Sequence, residues 1–193
     1  DAGDYSTGYG AYGAAKFDLV PLAWTADDWP VFAHDWAAIY NFETDARDEN
    51  QQYFGLIHGG TIQTDPGRGR VLNLSGTNQF VWLPPGVANA RTFAAVVKWD
   101  GGPAWQRIFD FGTDTNNYVM LTPASGNGRL RCDIRVNNVT QVLEWTSPLP
   151  VGVWTHVALT LDGGRGVLYV NGTPVATNNN LTFSPFEVRA QTS

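Results

Sequence analysis

The sequence has a single cysteine, Cys132, and only two lysines, Lys16 and Lys98, in 193 residues. One thiol excludes an intrachain disulfide framework and any cysteine-cluster zinc site. Histidines 34, 58 and 156 lie far apart and pair with no second ligand at zinc spacing. Charged residues reach only 16%, below the ~25% of an average soluble domain, so polarity rests on Asn, Thr, Gln and Gly. The net charge of −6 and pI near 4.8 exclude the basic footprint of a nucleic-acid binder. No apolar run approaches the ~18 residues of a membrane span. There is no Gly-x-Ser-x-Gly elbow and no Gly-rich loop ending in Gly-Lys-Thr, so triad hydrolases and phosphate loops lack support. No internal repeat is present, which excludes a solenoid or propeller.

What is abundant is aromatic. Eight Trp, ten Phe and seven Tyr make up 13% of the chain. Few lysines, many Trp, many Asn, Thr and Gly, and an acidic balance go together in secreted carbohydrate-active proteins. The chain starts at Asp1 and its one methionine is Met120. It is therefore expected to be a processed, extracellular product whose signal peptide is gone.

Sustained helical periodicity is absent; a helix fits only around Trp29–Asn41. Short β-branched or aromatic runs instead fall at 36–43, 53–57, 70–74, 79–83, 92–99, 105–111, 117–122, 129–136, 139–145, 153–161, 166–171 and 173–177. Turn chemistry separates them. Val170-Asn171-Gly172-Thr173 is a two-residue hairpin signal, because Asn-Gly supplies the positive φ such turns need. Asn137-Asn138 fits a second hairpin for the same reason. Evenly spaced short strands with Gly-rich turns predict an antiparallel two-sheet sandwich. Alternation puts Phe93, Ala95, Val97 and Trp99 on one face of their strand, and Val157, Leu159 and Leu161 on one face of theirs.

Several blocks in order carry a resemblance. They are Phe93-Ala94-Ala95-Val96-Val97-Lys98-Trp99-Asp100-Gly101-Gly102, Arg107-Ile108-Phe109-Asp110-Phe111-Gly112, Trp154-Thr155-His156-Val157-Ala158-Leu159-Thr160-Leu161-Asp162-Gly163, and Leu168-Tyr169-Val170-Asn171-Gly172 followed by Val175-Ala176. Together they resemble the laminin G-like branch of the concanavalin A-like jelly rolls. The resemblance implies an all-β, antiparallel jelly-roll domain over residues 36–193. In that family a Gly-rich strand and a final strand bearing two acidic residues follow the Pro185-Phe186 region. The chain stops at Ser193, so the closing strands are expected to be missing. Residues 1–35 read as an extended segment that packs on the domain. Within it, Phe17-Asp18-Leu19-Val20-Pro21-Leu22-Ala23-Trp24 and Asp27-Asp28-Trp29-Pro30 resemble the end of a glycoside hydrolase family 43 propeller. That resemblance implies an upstream catalytic domain in an arabinan- or xylan-degrading parent enzyme.

Two constellations carry candidate chemistry. Glu43, Asp45, Asp48 and Glu49 concentrate hard oxygen ligands, which suit Ca²⁺. The resemblance implies a structural calcium ion at this end of the domain, with Glu43, Asp45 and Asp48 as its ligands; a solvated acidic loop is the alternative. The same segment tests catalysis. Concanavalin A-like glucanases carry Glu-x-Asp-x-Glu on one strand, so the carboxylates share a face. Glu43 and Asp45 fit the first two places, but Arg47 stands in the third. The chain alone is therefore expected to be non-catalytic. Asp110, set among bulky apolar neighbours, is expected to accept backbone N–H groups.

The second constellation comprises Trp82, Trp99, Trp105, Gln106, Arg107, Tyr118, Arg131, Asp133 and Trp145. Aromatic rings stack on the C–H faces of sugars, and Arg, Asp and Gln bond to hydroxyls. Trp82 and Trp99 are expected in the core. Trp105, after Gly-Gly-Pro-Ala, is expected to be exposed, with Arg107, Tyr118, Arg131 and Asp133 beside it. The expected partners are a polysaccharide or oligosaccharide and the upstream catalytic domain, with neither nucleic acid nor membrane. Three readings stay open: a carbohydrate-binding accessory module, a bracing module without sugar affinity, and part of a glycosidase whose catalytic residues lie elsewhere.

Overall fold

A computed structural model describes residues 38–76 and 78–189. The segment 1–35, with its expected docking and propeller-like stretch, lies outside them. The described chain carries twelve strands. These are β1 (Leu56–His58), β2 (Thr61–Asp65), β3 (Gly69–Asn73), β4 (Phe80–Trp82), β5 (Thr92–Lys98), β6 (Phe109–Asp114), β7 (Asn117–Thr122), β8 (Arg131–Val136), β9 (Val139–Glu144), β10 (Trp154–Asp162), β11 (Arg165–Val170) and β12 (Thr173–Asn178). A 3₁₀ turn at Pro85–Asn89 precedes β5, and a five-residue helix, α1, spans Pro185–Arg189.

Two four-stranded antiparallel sheets, β12-β11-β10-β5 and β6-β7-β8-β9, form the sandwich. Alternation along each strand decides what is buried. Phe93, Val157, Leu159, Leu168 and Val170 face Val119, Leu121, Cys132, Ile134 and Leu143 in one core. Phe93 joins the sheets across their β5–β6 side, with its ring 5.2 Å from Phe109 and 5.5 Å from Phe111. The faces expected for Phe93, Ala95, Val97 and Trp99 and for Val157, Leu159 and Leu161 are those observed. Cys132 lies 1% exposed between Leu121 and Leu143 on the neighbouring strands.

The open edge of β9 is capped by chain from the other sheet. Asn178 Nδ2 donates to the Val142 carbonyl at 3.0 Å, and Phe183 N–H donates to Gln141 Oε1 at 2.9 Å. Such cover blocks edge-to-edge pairing. The hairpins at Asn137-Asn138 and Asn171-Gly172 form as expected, all four residues having positive φ. Two smaller ribbons, β1–β4 and β2–β3, lie outside the main sheets. The β2–β3 hairpin reaches the paired ends of β10 and β5, where Arg68 stacks over Trp154 at 5.9 Å and Asp65 meets Lys98 at 3.9 Å.

Four expectations change. Residues 38–43 are not a strand; the Ile39 N–H is taken by the Asp48 carboxylate instead of a strand partner. Strand β6 starts at Phe109 rather than near residue 105, because Trp105 is held at φ 68°. The polar strand β2, Thr-Ile-Gln-Thr-Asp, was not expected. Trp82 is 49% exposed rather than core. It pairs with Leu56 across the β1–β4 ribbon, whose other face carries Ile57 and Val81 half-buried.

Candidate functional site

The outer face of the β6–β9 sheet follows from strand parity. Val119, Leu121, Cys132 and Ile134 point into the core, so Tyr118, Met120, Thr122, Arg131, Asp133 and Arg135 point away. Register then sets these outward residues in rows. Tyr118 lies opposite Arg135, Met120 opposite Asp133, and Thr122 opposite Arg131. Asp110 and Val142 extend the middle row onto β6 and β9.

Although outward, Met120 and Asp133 are only 2% and 3% exposed. Arg131 binds Asp133 through both nitrogens of its fork, Nε to Oδ1 at 2.6 Å and Nη2 to Oδ2 at 3.3 Å. Its remaining Nη1 reaches Glu144 at 3.4 Å. These two carboxylates raise the Arg131 pKa despite the opposing pull of burial. The guanidinium so fixed lies over the Trp105 ring, 5.7 Å from its centroid.

Trp105 comes from the loop before β6 yet belongs to this face. Its N–H donates to the Ala124 carbonyl at 2.8 Å, and its own carbonyl accepts from Arg107 Nη1. Its indole lies against Gly126, where a Cβ would sit 3.3 Å from Nε1. A non-glycine residue in the left-handed region costs conformational energy. Here the backbone bond and the ring contacts hold it. Arg107 turns to Asp110, Nε to Oδ2 at 3.0 Å, so Asp110 meets a guanidinium rather than the backbone donors expected for it. The outward parity of Asp110 is the reason.

All five residues singled out from the sequence, Trp105, Arg107, Tyr118, Arg131 and Asp133, therefore gather on or beside one sheet face. Reasoning from sequence missed Arg135, Glu144 and Asp110 as neighbours. Arg135 stacks over Tyr118 at 6.0 Å, mirroring the Trp105–Arg131 pair. The period-two pattern of Arg131, Asp133 and Arg135 is the signal that would have found it. Trp99 and Trp145 pack against the core instead. Trp99 Nε1 donates to Gln106 Oε1 at 2.7 Å, which occupies Gln106 as well.

The acidic segment is arranged otherwise than a calcium site requires. Asp48 is 1% exposed. Its carboxylate accepts the backbone N–H groups of Ile39 at 2.8 Å and of Asn50, Gln52 and Tyr53 at 3.2 Å. Asp45 accepts the Arg47 N–H at 2.8 Å and pairs with Arg47 Nε at 3.1 Å. Glu43 is exposed and contributes its carbonyl to Arg70. Glu49 accepts from Asn41. Among the described residues no three His, Cys, Asp or Glu side chains gather at metal-binding distance. Glu43, Asp45 and Asp48 do not fit a shared calcium ion, because the oxygens of Asp48 already receive four N–H donors. Nor do Glu43 and Asp45 lie on a strand, as a glucanase pair would.

No helix among the described residues is long and apolar enough to cross a membrane. No curated protein matches the sequence. Among solved structures, the chain is similar to domain 4 of AbnA, a GH43 extracellular arabinanase from Geobacillus stearothermophilus, solved in complex with arabinotriose. Identity is 25% and the TM-score 0.67, over 76% of this chain and 77% of that one. It is also similar to a fragment of an S-layer domain-containing protein from Clostridium thermocellum, with 28% identity and a TM-score of 0.46 over 81% and 77% of the two chains. A third similar structure is the carbohydrate-binding module CBM66 from Bacillus subtilis, with 17% identity and a TM-score of 0.44 over 67% and 81%. The sequence profile described as the Concanavalin A-like lectin/glucanases superfamily, a laminin G-like profile, matches residues 74–191. With the jelly-roll sandwich and this match, which spans more than half of its length, the chain belongs to the concanavalin A-like lectin/glucanases superfamily.

Proposed function

We propose that the chain is a carbohydrate-binding accessory module of a secreted glycoside hydrolase acting on arabinan or xylan, non-catalytic by itself. The observation that carries this reading is the pairing of a half-exposed Trp105 ring with Arg131 and Asp133 on one sheet face. A ring fixed in place gives a sugar a stacking surface at low entropic cost. The guanidinium and carboxylate edges beside it offer donors and acceptors to hydroxyls. Tyr118 and Arg135 repeat the motif along the strand, about 13 Å away at the rise of ~3.3 Å per residue. Two ring-and-guanidinium stations suit an oligosaccharide better than a single sugar. The arabinanase domain solved with arabinotriose supports arabinan as the first polymer to try.

The carboxylates of this face each meet a guanidinium: Asp110 that of Arg107, Asp133 that of Arg131, and Glu144 those of Arg129 and Arg131. Hydrolysis of a glycosidic bond needs a carboxylic acid and a second carboxylate free to act across it. Titration calorimetry with linear arabino- and xylo-oligosaccharides tests the binding. Heat that is present for the wild type and lost in Trp105→Ala supports it; no heat with either polymer class refutes it.

A bracing module is the second reading, favoured by the β1–β4 ribbon. Leu56, Phe80 and Trp82 expose one apolar face there, with His58 stacked on Phe80 at 4.8 Å. In that reading the face packs on the upstream catalytic domain, and Leu56→Ser with Trp82→Ser would lower the stability of the parent enzyme without changing sugar binding.

A further inference from the structure

We infer that the Tyr118–Arg135 station takes a sugar bearing a carboxylate, so that the module prefers a uronic-acid-containing glycan over its neutral counterpart. The inference rests on the carbohydrate-binding reading and deepens it. Four arginines belong to this face, and three are neutralised. Arg107 pairs with Asp110, Arg129 with Glu144, and Arg131 with Asp133 and Glu144. Among the described residues Arg135 forms no such pair: Nη2 donates to the side-chain oxygen of Asn138, a neutral group. Its Nε is buried with no hydrogen-bond partner. The guanidinium is thus held in place with its charge uncompensated.

The surroundings keep it there. Asn138 N–H donates to the Asn116 carbonyl at 3.1 Å, and Asn137 N–H to Asn117 Oδ1 at 2.9 Å. These bonds fix the tip of the β8–β9 hairpin, and with it the Asn138 side chain that orients Arg135. On β6 the residue opposite Tyr118 is Gly112, which adds no side chain to the row. A Cβ there would fall 2.6 Å from both the Asn117 carbonyl oxygen and Tyr118 Cβ. Tyr118 is therefore unscreened on that side. Thr140, opposite Arg135 on β9, adds a hydroxyl to the row. A planar carboxylate on a ring that stacks at Tyr118 would meet the terminal nitrogens of the guanidinium in charge-assisted hydrogen bonds.

The test compares undecorated xylotetraose with the same oligomer bearing one glucuronic acid branch, by calorimetry at low salt. The wild type is expected to bind the acidic ligand about ten-fold tighter, as for a charge-assisted bond in place of none. The advantage should shrink as salt rises. In Arg135→Gln the ratio of the two affinities should collapse towards one, and Arg135→Lys, which keeps charge but not the fork, should fall between. Equal affinities in the wild type, with neutral binding intact, overturn the inference and leave the carbohydrate-binding reading standing. An advantage that survives Arg135→Gln also overturns it. Inorganic sulfate that erases the acidic advantage at millimolar concentration shows a generic anion site and overturns the carboxylate assignment. If neither oligomer, nor arabinan fragments, binds at all, both readings fall together.

Discussion

The Arg131 guanidinium lies 5.7 Å from the centroid of Trp105 while its fork grips Asp133, so one side chain joins the most exposed ring of the sheet face to its most buried charge. Because the two contacts differ in burial, they should fail differently when each is removed.

Replacing Trp105 by Ala removes a half-exposed ring. Ring stacking contributes on the order of 1 kcal/mol beyond area burial. Affinity for arabino- or xylo-oligosaccharides should therefore drop several-fold while the thermal midpoint shifts by a few degrees at most. A loss of the ~3–5 kcal/mol typical of a core aromatic deletion would make the residue structural, and the bracing reading would lead. Calorimetry and thermal melts on the same preparation separate the two outcomes.

Replacing Arg131 by Met strands the Asp133 carboxylate, whose side chain is 4% exposed. Breaking a buried pair costs ~3–5 kcal/mol; the partial exposure of Arg131 puts the expected loss at the lower end, about 3 kcal/mol or less. Adding Asp133→Leu should recover most of it, since an apolar pair needs no compensation. Urea unfolding of the single and double variants measures the difference, and a double variant no better than the single one defeats the argument.

Asp48 acts on backbone, and its variants should show it. Asp48→Ala orphans up to four N–H groups and should cost about 3 kcal/mol or more, at ~1–3 kcal/mol per unsatisfied buried group. The loss should be equal in millimolar Ca²⁺ and in chelator. A wild-type midpoint that rises with Ca²⁺ and falls with chelator, while Asp48→Ala ignores both, would restore the calcium site expected from the sequence.

His156 governs a pH limb. Desolvation lowers its pKa from 6.5, so the folded state favours neutral imidazole. Below that value the unfolded chain binds the extra proton first, and stability falls as pH drops from 6.5 towards the lowered folded value. The melting temperature should thus decline as pH falls through and below 6.5, and His156→Gln should flatten that decline. A separate acid limb belongs to Asp65 and Asp114. The Gly67 N–H lowers the first pKa and the Asn116 N–H the second, both from 3.8. Their stabilisation is present above that value and lost as pH falls below it.

The sandwich was legible because its signals are local. Asn-Gly and Asn-Asn turns declare their φ, and the alternation from Phe93 to Trp99 declares a face. The ribbons were less legible. β2 is polar because one side meets solvent, and Trp82 shares its composition with core tryptophans, so only tertiary placement distinguishes it. On the sheet face, Trp105, Arg107 and Tyr118 were singled out from turn chemistry and parity. The ion pairs that set their roles depend on register between β7, β8 and β9, which spacing within one strand cannot supply. Asp48 shows the converse limit, since a carboxylate surrounded by backbone donors looks, in sequence, like one awaiting a cation.

Cys132 gives the molecule an internal clock. Burial pushes its thiol pKa far above the ordinary value, which keeps the sulfur protonated and inert. Cys132 lies on β8, between β7 and the covered edge strand β9, so a labelling reagent meets the thiol only after the sheet or its edge cover parts. With no second cysteine to share the signal, the rate of modification in excess reagent reports the opening of the core alone. Bound ligand on the opposite face of the same sheet should slow that rate, and a ligand's grip on the surface becomes readable as seconds or hours of protection inside.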